Sequence, residues 1–177
     1  MLRPPERGEC PDYYFRYIDL ADTNDVLTAL ETEMDRTQEL LSSIPAAGET
    51  VTYEPGKWSV REVVGHVIDV ERLFTYRAFT FARGDSAQLP AMDQDEYNDG
   101  SNAHARSLVD LASELAAVRG STLAMFRGFA DSVWTNQGIA SGFQFTVRAF
   151  PYMMVGHEVH HRAILEEKYL PVIAAAS

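Results

Sequence analysis

The chain has 177 residues, of which 46% are hydrophobic, and a formal net charge of −11 at pH 7. The length fits a single domain with a sizeable core, and the acidic balance argues against nucleic-acid binding, which needs a basic surface. Cys10 is the one cysteine, so an internal disulfide or a cysteine-based zinc site within the chain is excluded. No secretory leader pattern and no long apolar run is found, and we expect a cytoplasmic protein that does not enter the membrane.

The first half of the chain predicts an arm and two long helices. Residues 1–18 are rich in Pro, Glu, Arg and Tyr, and we expect an irregular arm that packs through its aromatic side chains. Helical spacing of apolar residues predicts a first helix over about residues 22–43. A capping box at residues 59–62 predicts the start of a second helix, which ends at Arg83.

The second half predicts a long connection and two further helices. Residues 84–102 form the longest connection, an acidic crossover that either runs across the mouth of a helix bundle or is a solvated surface loop. Helical spacing returns over residues 103–130. Residues 131–145 contain glycines and aromatic residues, which favour a short turn or a small hairpin. Thr146 is expected to cap a fourth helix, which ends near Tyr169.

Together these elements predict an all-α four-helix bundle. Four amphipathic helices without a strong strand pattern or an internal repeat are typical of that fold. We expect one bundle domain over residues 19–172, preceded by the arm and followed by a short tail over residues 173–177.

A histidine pair on the predicted fourth helix is the strongest functional signal. His157 and His161 are four residues apart, so their side chains leave the same helix face one turn apart. Apolar residues share that face, and a divalent cation would satisfy both imidazoles in a core. Hydrogen-bonded core or surface histidines are the alternative. His66, at the edge of the apolar stripe on the second helix, is a candidate third ligand, whereas His104 has weaker surroundings.

Four stretches of the sequence resemble the DinB-like superfamily, near its YfiT-like branch. They are KWSVREVVGH at residues 57–66, the acidic crossover at 89–97, the segment 134–149 that ends in GFQFTVRA, and GHEVHH at 156–161. The resemblance covers about residues 20–170 and implies a four-helix bundle. It also implies a divalent metal, often zinc or nickel, held by one histidine on the second helix and two on the fourth.

Carried over by motif, the implied metal ligands are His66, His157 and His161. His160 points to the other side of His157 and is expected beside the site or at the surface. Three neutral imidazoles around zinc leave a coordination position open to water or substrate.

The resemblance implies two kinds of enzyme. The first hypothesis is a metal-dependent transferase that activates a low-molecular-weight thiol, such as bacillithiol or mycothiol, for attack on a small electrophile. The second is a metal-dependent hydrolase. A non-catalytic, stress-related metal-binding module is a hypothesis of a different class. Members of the family are often homodimers, so we expect a homodimer with a small-molecule substrate.

Three further residues are candidates for a catalytic role. Arg77 lies about three turns from His66 on nearly the same helix face and could bind a substrate carboxylate; an arginine whose stem packs on the core is the alternative. Asp93 and Asp95, with Glu96 beside them, could supply a general base from the crossover. Solvated acidic residues explain them equally well.

Overall fold

Most of the protein is helical in a computed structural model that describes residues 2–176. The helices and strands, in chain order, are α1 (Phe15–Ile18), α2 (Val26–Ser43), α3 (Val60–Ala82), α4 (Gln94–Gly100), α5 (Leu108–Arg127), β1 (Gln137–Ala140), β2 (Phe143–Thr146), α6 (Ala149–Ile164) and α7 (Leu170–Ala175). Short 3-10 turns at Asp12–Tyr14, Ala46–Gly48, Ala103–Ala105 and Asp131–Thr135, and a π-helical turn at Leu165–Tyr169, complete the order.

Side-chain caps determine where three of the four long helices begin. Asp25 accepts a hydrogen bond from the backbone N–H of Thr28 at the start of α2, and Ser107 caps α5 in the same way. Ser59 and Glu62 form the predicted capping box of α3. Each cap satisfies N–H groups that have no partner within the helix. The caps also explain why α2 and α5 start a few residues later than apolar spacing alone predicts.

The four long helices form a bundle in which two of the three pairs that follow one another in the chain do not pack side by side. α3 packs against α5 and α6, and α2 packs against the same two helices. α2 and α3 therefore lie diagonally across the bundle, and so do α5 and α6. This arrangement confirms the predicted four-helix bundle. It also explains why the connections that follow α2 and α5 are long, since each must cross an end of the bundle diagonally.

The core of the bundle consists of two apolar clusters that meet near His66. Val63 and Val67 on α3 belong to one cluster, whereas Val70 and Phe74 on the same helix belong to the other. α6 contributes Met153 and its neighbours to the second of these clusters.

A two-stranded antiparallel hairpin precedes α6, as one of the two sequence alternatives predicts. The N–H of Leu89 donates to the carbonyl of Ile139, and the N–H of Ser141 donates to the carbonyl of Leu89. The hairpin therefore anchors the start of the crossover.

The arm and the crossover are more helical than the sequence predicts. In the arm, Asp12–Tyr14 and Phe15–Ile18 are helical rather than irregular, because Phe15, Tyr17 and Ile18 are buried where α1 packs against α6. In the crossover, the helix α4 begins at Gln94 and is capped by Asp93, whose carboxylate accepts hydrogen bonds from the N–H groups of Asp95 and Glu96.

Two predictions at the ends of the fourth helix are wrong. Thr146 does not cap α6; it ends β2, and its hydroxyl donates to a carboxylate oxygen of Glu9 at 2.8 Å. The helical path does not end near Tyr169 but continues through the π-helical turn into α7, as far as Ala175. Pro171 is the second residue of α7.

Among residues 2–176, none of the helices is long and apolar enough to cross a membrane.

Candidate metal centre

Three histidine side chains converge between α3 and α6. The Nε2 atom of His157 lies 3.2 Å from Nε2 of His66 and 3.1 Å from Nε2 of His161. The ligand atoms of the three residues all lie within 4.8 Å of one another. Tertiary structure thus brings together the three residues that sequence spacing and the family resemblance nominate.

Hydrogen bonding among the rings accounts poorly for this convergence. A neutral imidazole nitrogen either carries one proton or offers one lone pair. The Nε2 atom of His157 can therefore form one good hydrogen bond, although it faces both His66 and His161. A shared electrophile at the centre would use all three lone pairs.

The spacing of the nitrogens fits a tetrahedral cation. A Zn–N bond of about 2.0–2.1 Å places two ligands of a tetrahedron about 3.3 Å apart. The observed separations of 3.2 and 3.1 Å are close to that value. His66, His157 and His161 could hold zinc or a similar divalent ion with little movement.

Burial keeps all three imidazoles in the neutral form that a metal requires. Removal from water lowers the pKa of His66 to about 4 and that of His161 to about 3. Burial also lowers the pKa of His157, and the neighbouring histidines add to the effect. Since a protonated ring cannot bind a cation through that nitrogen, these shifts prepare the site for metal at neutral pH.

Aromatic side chains surround the histidines and limit how the rings can turn. The ring of Trp58 lies 4.9 Å from that of His66, between centroids, and Tyr17 from α1 lies 5.3 Å from His157. Tyr17 also contacts His160, which is half-buried beside the three converging rings. His104 lies apart, exposed in the turn before α5.

A buried ionic network includes Glu158, the residue that follows His157 in α6. Arg119 on α5 donates to both carboxylate oxygens of Glu71 on α3 at 2.8 Å, to Glu158 on α6 at 2.7 Å, and to the carbonyl of Leu30 on α2. Burial lowers the pKa of Arg119, but the two carboxylates outweigh this and hold its pKa above the ordinary value. Burial raises the pKa of Glu158, against the opposing charge of Arg119.

This network joins all four long helices and restricts the rotation of α6 that would move His157. Sequence reasoning did not find it, although charged residues at apolar-stripe positions of three predicted helices were an available signal.

Two cavities reach the three histidines. The first, of about 470 Å³, reaches His66 and His157, and is lined as well by Tyr13, Tyr14, Tyr17, Val70, Leu73, Phe74, Arg77, Met92, Asp93, Gln94, Asp95 and Ser141. The second, of about 370 Å³, reaches His161, and is lined as well by Tyr53, Gly56, Lys57, Trp58, Val63, Gln94, Asp95, Ile164 and Tyr169.

The crossover supplies residues to both cavities. Gln94 and Asp95, in the first turn of α4, line the first cavity and also the second. Of the predicted catalytic candidates, Arg77, Asp93 and Asp95 line the first cavity, while Glu96 lines neither. The first turn of α4 therefore borders both cavities that reach the histidines.

Comparisons with known proteins agree with this fold. A sequence model of the DinB superfamily matches residues 29–165, more than half of the chain. Among solved structures, the chain is similar to YfiT from Bacillus subtilis, described as a probable metal-dependent hydrolase with an unusual four-helix bundle topology. The TM-score is 0.68 at 16% sequence identity, over 96% of this chain and 93% of the other. No curated protein matches the chain.

Proposed function

Because this chain belongs to the DinB superfamily, we propose that it is a divalent-metal-dependent transferase that activates a low-molecular-weight thiol for attack on a small electrophile. The observation that carries the proposal is that two distinct cavities reach the same three histidines. A transferase must bring two organic molecules to one centre, whereas a hydrolase needs room for one and for water. Two cavities that reach one group of histidines favour the transferase.

His66, His157 and His161 are the proposed ligands, and zinc or nickel suits three imidazole nitrogens. A cation held there lowers the pKa of a thiol or of water at its remaining coordination position. The neutral histidines do not cancel the charge of the cation, which strengthens this effect. No cysteine, aspartate or glutamate joins the three histidines in the part of the chain described.

Asp95 is the proposed acceptor of the thiol proton. It is exposed in the first turn of α4 and lines both cavities, so it can reach a molecule on either side. Asp93 is the weaker candidate, since one of its carboxylate oxygens caps α4.

A metal-dependent hydrolase is the second candidate function, favoured by the fold shared with YfiT, which is described as a probable metal-dependent hydrolase. A non-catalytic metal-binding module is the third. The effect of added thiol distinguishes the transferase from the hydrolase. A transferase turns over an electrophile only when a thiol is present, whereas a hydrolase does so without one.

The first test is metal content, measured by elemental mass spectrometry on untagged protein. We expect about one zinc or nickel ion per chain, lost in His161→Ala because two nitrogens bind weakly. The exposed His104 provides the control, and His104→Ala should keep its metal. Wild-type protein that takes up neither ion would contradict both enzyme proposals.

Metal-loaded protein is then assayed on electrophiles with and without thiol, and turnover without thiol would favour the hydrolase.

We also propose that the protein forms a homodimer through a face of α3 and α5, and that it works in the cytoplasm. Tyr76 and Phe79 on α3 are 55% and 44% exposed, and Met125 on α5 lines the same shallow groove as they do. Light scattering should show a dimer that Phe79→Glu converts to a monomer. Val109→Glu, which changes a side chain on the far side of α5, should leave the dimer intact.

Cell fractionation tests the proposed cytoplasmic location.

A further inference from the structure

Arg77 is a buried cation that lacks an acidic partner. Its side chain is 1% exposed, and its Nη2 atom donates to the carbonyl of Pro90 at 2.8 Å and to the hydroxyl of Ser141 at 2.9 Å. Both acceptors are neutral. Its Nε atom is buried without a hydrogen-bond partner. Within residues 2–176, no Asp or Glu oxygen lies within 4.0 Å of the guanidinium.

The contrast with Arg119 shows how unusual this is. Arg119 is also buried, but two carboxylates and a backbone carbonyl surround it. A buried charge without a counterion is costly, and proteins retain one where a ligand or a partner completes it. Arg77 therefore points to an anion that the rest of the chain does not supply.

The first cavity is the place from which that anion can reach Arg77. Arg77 and Tyr14 line it together, and so do His66 and His157. Burial raises the pKa of Tyr14, while the charge of Arg77 opposes this, so the phenol stays protonated and able to donate a hydrogen bond.

Apolar side chains contribute part of the lining between Arg77 and the histidines. Val70, Leu73 and Phe74, which lie between His66 and Arg77 on α3, and Met92 from the crossover line the first cavity beside its polar residues. Arg77 is eleven residues beyond His66 on the same helix, which corresponds to about 16 Å along the axis. An occupant held at Arg77 can thus direct an uncharged part toward the histidines.

We infer that the first cavity binds a small organic carboxylate, whose anionic end is held by Arg77 and the hydroxyl of Tyr14 and whose apolar body faces His66 and His157. Arginine suits this role because its donors match the geometry of a carboxylate. The inference rests on the proposed function, for which it names the class of electrophile, while the thiol occupies the second cavity.

The test compares benzoate with benzamide, its neutral counterpart of the same shape, by titration calorimetry on metal-loaded protein. We expect benzoate to bind at least tenfold more tightly than benzamide, and Arg77→Met to abolish that preference. Arg127→Met is the matched control, since Arg127 is an exposed arginine on α5, and it should keep the preference. Metal content is measured on each variant, so that a failed cation site is distinguished from a failed carboxylate site.

Two further variants keep the test decisive if Arg77→Met does not fold. Tyr14→Phe retains the ring and should weaken benzoate about threefold with benzamide unchanged. Arg77→Lys retains the charge and should retain part of the preference. Equal binding of the two probes to wild type, no binding of either, or an undiminished preference in all three variants would overturn the inference. A benzoate preference that survives in Arg77→Met but disappears in His161→Ala would place the carboxylate at the cation instead, and would overturn it too.

Discussion

At the scale of single residues, the absence of a side chain at Gly156 allows α1 to pack against α6 beside His157. The backbone of Tyr17 in α1 passes so close to α6 that a Cβ atom on Gly156 would lie 1.8 Å from the carbonyl oxygen of Tyr17. Because the atoms nearest to this Cβ belong to the backbone of Tyr17, no flexible side chain could move aside to make room. Only glycine allows α1 to pack here, and α1 brings the Tyr17 ring against His157.

Gly156→Ala should therefore destabilise the protein by about 3 kcal/mol, the upper end of the usual cost of overpacking, and reduce metal uptake. Gly120 is the matched control: it lies exposed within α5 with nothing within 4 Å of its added Cβ. Gly120→Ala should stabilise by about 0.5–1 kcal/mol because alanine favours the helix. Urea unfolding measures both changes, and equal effects of the two substitutions would contradict the predicted contact.

At the scale of elements, the arm is attached to the hairpin and to the start of α6 by Glu9. Its carboxylate accepts hydrogen bonds from the hydroxyl of Thr146 and from the guanidinium of Arg148, and its carbonyl accepts from the N–H of Thr146. The hydrogen bond from Arg148 is the main cause that lowers the pKa of Glu9 below 4.5. The arm thus helps to fix the segment from which α6 departs toward the metal site.

The lowered pKa predicts a pH dependence. A carboxyl whose folded pKa is depressed contributes stability above its unfolded pKa and loses that contribution as pH falls through the folded value. Arg148→Met should therefore cost about 1 kcal/mol at pH 7, and the cost should shrink as the pH falls below about 4.5. Urea unfolding at several pH values measures the difference.

Arg7→Met is the control for this prediction. Arg7 pairs with Asp12, but both side chains are mostly exposed, so its removal should cost little at any pH. A cost of Arg148→Met that stays constant down to the acid transition would show that Glu9 does not depend on Arg148.

At the scale of the whole molecule, the histidines join two helices that the chain separates by a long stretch. His66 lies on α3, and His157 and His161 lie on α6. A cation bound by all three would link the helices where the two apolar clusters meet. The unfolded chain cannot offer the same three nitrogens together, so metal binding favours the folded state.

Zinc at a hundredfold excess over its dissociation constant should stabilise the protein by about 2.7 kcal/mol. For a chain of this length, that corresponds to a rise in melting temperature of about 5–10 °C. Scanning calorimetry before and after treatment with EDTA measures the shift. His161→Ala should show little of it, and a shift of equal size in that variant would assign the effect to another site.

Local signals in the sequence determined the positions of the long helices and placed two of the three histidines on one helix face. Apolar periodicity located the four long helices, the capping box located the start of α3, and the i, i+4 spacing placed His157 and His161 on one face. These features depend on residues within one or two turns of each other, which is why they can be read without knowing what packs where. The position of His66 in the sequence made it only a candidate third ligand. The family resemblance then identified it as the metal ligand on the second helix.

Only the tertiary structure decided what depends on contacts between distant parts of the chain. The diagonal order of the helices, the helical end of the arm and the partners of Thr146 and Arg119 all arise from packing across the bundle. The two cavities also belong to this group, because each is formed by segments that are far apart in sequence. Side-chain periodicity shows which face of a helix is buried, but it does not show which helix covers that face, and the neighbours of the three histidines follow from that choice.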